Sequence, residues 1–186
     1  MLYVWIVVAL AVLYGIFLFN RLVSLRQASR RATADIDVQL KLRHDLIPNL
    51  VETVKGYASH ESGVFAAVTQ ARSAAMLAGT IAEKSAAEAA LSGALGSLFA
   101  VAENYPQLRA SENFRALQDE LSDVESKIAG ARRFMNNAAA EYNSAIQQFP
   151  ALLVASPLGF MPADMFTLDP EERQQAKDAP KVSFGR

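Results

Sequence analysis

Four side chains that could take part in chemistry lie around a single proline. Arg43, His44, Asp45 and Asn49 flank Pro48 in the segment DIDVQLKLRHDLIPNLVETVK. They offer a cation, an imidazole, a carboxylate and an amide, which are groups that bind polar ligands or form internal hydrogen-bond networks. Two interpretations stay open at this point. One is a ligand pocket, and the other is an internal polar network that sets the register between helices.

The proline itself has a mechanical interpretation. Pro48 lies within a helical pattern of apolar residues, and it removes the amide donor to the carbonyl of His44, at a cost of about 3 kcal/mol if nothing compensates. A freed carbonyl can accept a hydrogen bond from a side chain or from water. We therefore predict that Pro48 is a structural kink in a long helix and is not part of a catalytic loop.

The motifs that usually carry catalysis are missing from the sequence. The chain has no cysteine, no G-x-S-x-G motif and no glycine-rich phosphate loop. Neither His44 nor His60 follows a glutamate by three residues, as a di-iron helical site requires. The sequence thus predicts a protein that is not an enzyme and that has no cofactor and no metal site.

An apolar stretch at the start of the chain predicts a membrane anchor. Residues 2–19, LYVWIVVALAVLYGIFLF, contain no charged side chain. Eighteen helical residues are about 27 Å long, which is close to the thickness of the hydrocarbon core. A basic start and a small-residue cleavage site, which mark a signal peptide, are absent. We predict an uncleaved single span at residues 1–20.

Charge around the span predicts its orientation. Four basic residues follow it without an acidic one, namely Arg21, Arg26, Arg30 and Arg31. The positive-inside rule then places a short N-terminus outside and the remaining chain in the cytoplasm. Residues 32–186 carry 14 basic and 19 acidic side chains, a net charge of −5. Such a surface argues against a nucleic acid as partner.

Helical periodicity fills the chain from the span to about residue 149. Apolar residues repeat with 3,4 spacing up to about residue 59 and in the segments 61–78, 80–105 and 111–148. Thr80 and Glu83 match a capping box, and Gly79 suits the end of the preceding helix. Short links predict antiparallel neighbours. The predicted fold is all-α, with an up-and-down four-helix bundle over residues 21–149, or three long helices if Gly79 does not interrupt them.

The C-terminal tail, residues 150–186, is apolar at first and polar later. Its apolar part is too rich in large side chains for a disordered linker. It either folds back over the end of the bundle, which is the favoured interpretation, or contacts another subunit, a partner or the bilayer. The candidate interface residues are Leu152, Leu153, Leu158, Phe160, Met165 and Phe166.

Several long segments resemble those of a known family. They are IDVQLKLRHDLIPNLVETVKGYASHE, AVTQARSAA, LFAVAENYPQLRASENFRALQDELSDVESKIAGARRFMNNAAAEYNSAIQQFP and PKVSF. In this order, and after an N-terminal anchor, they are similar to the LemA family. The resemblance implies a bacterial protein with one N-terminal span and a bundle of long helices. Magnetosome relatives of the family imply work on membrane shape or protein organisation, and the resemblance supplies no catalytic residues.

The function predicted from these features is that of a membrane-anchored helical scaffold in the bacterial inner membrane. Its expected partners are the lipid bilayer, further copies of the chain in a homo-oligomer, and other, unidentified proteins. The alternative is a membrane-tethered ligand-binding or regulatory module, with a polar pocket near Arg43, Asp45 and Asn49.

Overall fold

Residues 1–166 are described by a computed structural model, and their secondary structure is helical. Turns and irregular segments join the helices, and no strand occurs within this range, so the all-α prediction is confirmed for it. The helices are α1 (Leu2–Lys55), α2 (Ser62–Leu77), α3 (Ile81–Glu103), α4 (Pro106–Ala110), α5 (Glu112–Gln147) and α6 (Ala151–Ala155).

The break between α2 and α3 lies where the sequence predicts it. The hydroxyl of Thr80 accepts a hydrogen bond from the amide of Glu83 at 3.2 Å. The carboxylate of Glu83 in turn accepts from the amides of Thr80 at 2.9 Å and Gly79 at 3.0 Å. This is the predicted capping box, and it makes α2 and α3 separate helices. The bonds from the amides of Thr80 and Gly79 hold the pKa of Glu83 below its ordinary value.

The predicted link at residues 106–110 contains a helix of its own. α4 begins at Pro106, which suits a first helical position because the missing N–H would have no partner there. Leu108 is fully buried. The link is thus short but ordered by the packing of one leucine.

The chain divides into two compact units. One unit, which we call the cluster unit, comprises Arg43–Asp123 and, among the described C-terminal residues, Phe166. Its core is built from α1, α2, α3, α4 and the start of α5, and Phe99 and Phe114 pack edge to face with ring centroids 6.4 Å apart. Among its fully buried residues are Ile47, Leu50, Val54, Val68, Leu91, Leu98 and Leu108. Each such side chain contributes roughly 1.5–3 kcal/mol through burial.

The other unit, which we call the anchor unit, comprises Met1–Leu42 and Val124–Met165. Residues 1–17 of this unit are all exposed. Burial starts at Leu22, which packs in a cluster with Tyr142, Ile146 and Phe160. The anchor unit thus combines an exposed apolar helix with a small core made by α1, α5 and the residues after α5.

Within residues 1–166, two helices are long and apolar enough to cross a membrane by length and composition, namely α1 and α3. They differ in what they bury. No residue in the apolar window of α1 is buried, whereas α3 buries Leu91, Leu95 and Leu98 and also the charged residue Glu88. The pattern of α3 is that of a core helix within the cluster unit.

The buried stripe of α5 departs from the predicted one near its end. Met135, Ala139, Tyr142 and Ile146 are buried, whereas Phe149, which a strict heptad would bury, is exposed. A helix with 3.6 residues per turn drifts by about 20° per heptad from a 3.5-residue repeat. The stripe therefore moves by one position, and α5 ends at Gln147 before Phe149.

Candidate functional site

The most polar feature in the core of the cluster unit is an ion pair between α1 and α3. Arg43 donates from Nη1 to Oε2 of Glu88 at 2.8 Å, and both side chains are only 1% exposed. Nε2 of His44 lies 2.7 Å from Oε1 of the same carboxylate. Both oxygens of Glu88 are thus engaged by side chains of α1.

A serine completes this buried cluster. Arg43 donates from Nη2 to the hydroxyl of Ser92 at 2.7 Å. That hydroxyl donates to the main-chain carbonyl of Glu88 at 3.0 Å, one turn earlier in α3. The guanidinium is therefore held by two groups of α3 at once, and we refer to Arg43, His44, Glu88 and Ser92 as the buried polar cluster.

Helical periodicity explains why these side chains meet. Arg43 lies four residues before Ile47 and seven before Leu50, so it shares the buried stripe of α1. Glu88 lies three residues before Leu91 and seven before Leu95, so it shares the buried stripe of α3. Two apolar stripes that pack together bring their single charged members into contact.

A second bond ties α1 to α2. Nε of Arg72 donates to the main-chain carbonyl of His44 at 2.7 Å. This is the carbonyl that loses its intrahelical donor because Pro48 lies four residues later. α1 is helical on both sides of Pro48. The predicted kink at Pro48 stays a prediction. The freed carbonyl of His44 does accept a hydrogen bond from a side chain, as we expected from the sequence.

The structure separates the four side chains that the sequence grouped around Pro48. Arg43 and His44 are buried, whereas Asp45 and Asn49 are exposed, as is Pro48. At 100° per residue, positions 45 and 49 lie on the side of α1 that faces away from Arg43. The carbonyl of Asn49 accepts a hydrogen bond from the Thr53 hydroxyl at 2.7 Å, within the same helix. Asp45 and Asn49 are thus placed outside the buried polar cluster.

Three members of the observed network were not among the predicted residues: Arg72, Glu88 and Ser92. Glu88 had a signal, because a carboxylate within an apolar stripe of α3 needs a cation when it is buried. Ser92 follows Glu88 by one turn, the spacing at which a hydroxyl reaches the carbonyl four residues earlier. The sequence indicated that the carbonyl of His44 needs a hydrogen-bond donor, but it did not indicate that Arg72 is that donor.

The chemistry of the buried polar cluster is that of an internal tie. A buried carboxylate with both oxygens occupied by protein donors is positioned to hold helices in register, and its charge is matched by the guanidinium. Breaking such a pair on one side leaves an uncompensated buried charge, which typically costs about 3–5 kcal/mol. The cluster therefore ties α1 to α3, and the separate bond from Arg72 ties α1 to α2, within the same unit.

The tail makes a second set of polar contacts, within the anchor unit. The hydroxyl of Tyr142 donates to the carbonyl of Met161 at 2.9 Å. The side chain of Asn143 both donates to the carbonyl of Ala163 at 2.9 Å and accepts from its amide at 2.7 Å. Burial raises the pKa of the Tyr142 hydroxyl, against an opposing effect of Arg26 and Arg30. The chain after α5 thus folds back onto α5.

Aromatic contacts fix the same segment to α1. The ring of Phe160 packs edge to face against Phe19, with centroids 5.7 Å apart. The guanidinium of Arg26 lies 4.7 Å from the centroid of the Phe160 ring, within cation–π distance. The other three arginines after the span, Arg21, Arg30 and Arg31, are exposed.

The candidate interface residues of the tail divide into two groups. Phe160 and Phe166 are buried, whereas Leu152, Leu153, Leu158 and Met165 are exposed. Folding back therefore covers part of the apolar tail and leaves four of the six candidate side chains uncovered. The polar part of the predicted tail, residues 167–186, lies outside the described residues.

Comparison with known proteins gives a consistent result. The family model described as the LemA family matches residues 32–184. The magnetosome protein MamQ of Magnetospirillum gryphiswaldense is 25% identical over 174 residues, which cover 80% of this chain and 64% of that protein. Magnetosome proteins MamQ 1 and MamQ 2 of Paramagnetospirillum magneticum are each 25% identical over an alignment of 191 positions. The alignment covers 89% of this chain and 68% of each relative. The chain spans about two thirds of the length of these relatives. The match over residues 32–184 shows that the chain belongs to the LemA family.

Proposed function

We propose that the protein is a single-pass, membrane-anchored helical scaffold without catalytic activity, which assembles with copies of itself and organises membrane or envelope proteins. The observation that carries this proposal is the construction of α1. One helix, Leu2–Lys55, begins with an exposed apolar stretch of span length and continues into a stripe of buried residues. In this proposal the same helix is both the membrane anchor and a core helix.

Exposed apolar side chains after the span support contacts between copies. Val38 and Leu42 are 56% and 45% exposed and lie one turn apart on α1. Leu40, between them in sequence, is buried, so this strip faces away from the core of its unit. We refer to Val38 and Leu42 as the α1 strip. Larger contiguous apolar patches mark interaction surfaces, and in this proposal the α1 strip is part of such a surface.

The proposed location is the bacterial inner membrane, with the N-terminus outside and the helical body in the cytoplasm. The four arginines after the span support this orientation. The organising role is what the family resemblance implies, and the chain is similar to proteins named for the magnetosome.

Self-assembly is tested by native mass spectrometry of the full-length protein after detergent extraction, over a range of concentrations. We expect oligomers for the natural chain and monomers for Val38→Ser/Leu42→Ser. Leu77→Ser is the matched control, because Leu77 is also exposed but lies on α2. Monomers of the natural chain at every concentration would remove self-assembly from the proposal.

Orientation is tested separately. Because the chain has no natural cysteine, a maleimide can react only with an introduced one. A single cysteine at Leu77 should resist a membrane-impermeant maleimide in intact spheroplasts and react after lysis. Reaction in intact spheroplasts would place the helical body outside the cytoplasm.

A further inference from the structure

We propose that the apolar segment, residues 149–162, is immersed in the cytoplasmic leaflet beside the span, and that the groove between it and α1 holds a phospholipid acyl chain. This inference rests on the proposed membrane anchor and gives it a second membrane-embedded element. All the residues concerned belong to the anchor unit.

The groove lies between the second half of the apolar part of α1 and the apolar segment. Its volume is about 300 Å³, and its walls include Tyr14 and Leu18 from α1 and Leu153, Val154 and Leu158 from the apolar segment. None of the residues that line it is charged. A groove of this composition suits a hydrocarbon chain.

The position of the groove along α1 determines its depth. It extends from Leu22 to Ala11, and Ala11 lies eight residues inside the end of the apolar stretch at Phe19. At 1.5 Å per residue this is about 12 Å, compared with roughly 15 Å for half of a hydrocarbon core. If residues 2–19 span the bilayer, the side chains that face Ala11 and Tyr14 lie in the same leaflet.

The composition of the apolar segment fits immersion. No charged side chain occurs from Phe149 to Ala163. Leu153 is 66% exposed and Leu158 is 50% exposed, although each also lines the groove. The exposed leucines are therefore continuous with the apolar surface of the span, and lipid is the solvent that covers both.

Several backbone amides of the apolar segment are hydrogen-bonded within the segment, which favours contact with lipid because polar groups there must be satisfied internally. The amide of Leu158 donates to the carbonyl of Val154 at 3.1 Å, and the amide of Phe160 donates to Ala155 at 2.9 Å. Gly159 makes the reversal possible with a φ of +75°, and its amide donates to Ser156 at 3.0 Å. Three prolines, Pro150, Pro157 and Pro162, have no amide hydrogen to satisfy.

Charged groups mark the edge of the immersed region. Arg26 covers the ring of Phe160 with its guanidinium, and Arg21 is exposed two residues beyond Phe19, the end of the apolar stretch. Arginine side chains at this level can contact lipid phosphates while their stems stay in apolar surroundings. The first charged residue after the apolar segment is Asp164.

The test uses single cysteines in the full-length chain, labelled with bimane and reconstituted in nanodiscs of phosphatidylethanolamine and phosphatidylglycerol. Labels at Leu153→Cys and Leu158→Cys should be quenched by lipids with a doxyl group at mid-chain and protected from aqueous iodide. Leu13→Cys, in the span, is the positive control. Val38→Cys is the negative control, since it is exposed on α1 about 28 Å beyond Phe19.

Each outcome has a distinct meaning. Quenching by iodide and not by doxyl lipid at positions 153 and 158 would overturn the inference. Protection from both quenchers would also overturn it, because it would show that a protein partner or a second copy covers the apolar segment. Loss of doxyl quenching at position 13 would instead refute the membrane anchor itself.

A second measurement tests the acyl chain in the groove. A side chain at Gly15 meets open space, because no atom lies within 4 Å of its added Cβ. Gly15→Phe should fill the groove and reduce the number of phospholipids retained in native mass spectra by one, whereas Gly15→Ala should retain the natural number. Equal retention by both variants would overturn the assignment of the groove.

Discussion

Arg72 on α2 donates a hydrogen bond of 2.7 Å to the main-chain carbonyl of His44, the group that Pro48 deprives of its helical donor. Pro48 thus leaves one carbonyl of α1 without a helical donor, and a side chain of α2 supplies the donor. A residue that weakens one helix locally therefore becomes a specific point of attachment for another. This explains how an interior proline is accommodated within a helix of 54 residues.

The first prediction concerns this pair. Arg72→Met should lower the free energy of unfolding by about 1–3 kcal/mol, because it leaves a partly buried carbonyl without a donor. In a Pro48→Ala background, the restored amide can donate to His44, so the same substitution should cost less. A double-mutant cycle by chemical denaturation measures the coupling. Equal costs of Arg72→Met in both backgrounds would show that the bond does not compensate for the proline.

The second prediction concerns the buried polar cluster. Arg43→Met should cost about 3–5 kcal/mol, because the buried Glu88 would lose its cationic partner. Arg43→Met/Glu88→Gln should be more stable than Arg43→Met alone, since the amide is neutral and still accepts a hydrogen bond from His44. The control is Lys55→Met at the Glu52–Lys55 pair, whose side chains are 71% and 55% exposed, with an expected change of less than about 0.5 kcal/mol.

A double variant no more stable than Arg43→Met would contradict the role of Glu88 as a matched buried charge. An Arg43→Met variant with normal stability but impaired function in cells would instead favour a binding role for the guanidinium. Thermal unfolding of the full-length protein, followed by circular dichroism, separates these outcomes.

The third prediction concerns alkaline pH. The pKa of Tyr142 is raised in the folded state above the ordinary value of about 10, chiefly by burial. The contribution of the neutral Tyr142 hydroxyl to the free energy of unfolding is thus complete below pH 10. It is lost as the pH rises through the folded-state pKa. Thermal unfolding should show an alkaline loss of stability that is smaller in Tyr142→Phe. Tyr57→Phe, at an exposed position, should retain the loss seen in the natural chain.

The fourth prediction concerns acidic pH and the cap of α3. The pKa of Glu83 is lowered by hydrogen bonds from the amides of Thr80 and Gly79. The carboxylate therefore stabilises the fold above its ordinary pKa, and this contribution is lost as the pH falls through the lowered value. Glu83→Gln should be less stable than the natural chain at pH 7, and the difference should shrink in acid. A difference independent of pH would contradict the cap.

Local signals in the sequence predicted the helix boundaries well. The segments expected at 61–78 and 111–148 correspond to Ser62–Leu77 and Glu112–Gln147. Caps, glycine and proline act within one turn, so their effects can be predicted from neighbouring residues. The stripe of α5 was less predictable near its end, because a small error in period accumulates along a long helix.

The polar site was only partly predictable, for a physical reason. Periodicity places Arg43 on a buried stripe, and by the same reasoning it places Glu88 on another. Periodicity does not predict which of several carboxylates contacts Arg43. That contact depends on the register between α1 and α3, and Arg43 and Glu88 are 45 positions apart in sequence. Asp45 is near Arg43 in sequence but lies on the other side of α1.

The central proposal is that the protein is a self-assembling membrane scaffold, and cross-linking in native membranes tests it most directly. Val38→Cys and Leu42→Cys, made singly in the cysteine-free chain, should yield a product of twice the monomer mass with a short bismaleimide. Leu77→Cys should remain monomeric under the same treatment. Cross-linking at the α1 strip no greater than at Leu77 would contradict self-assembly through α1.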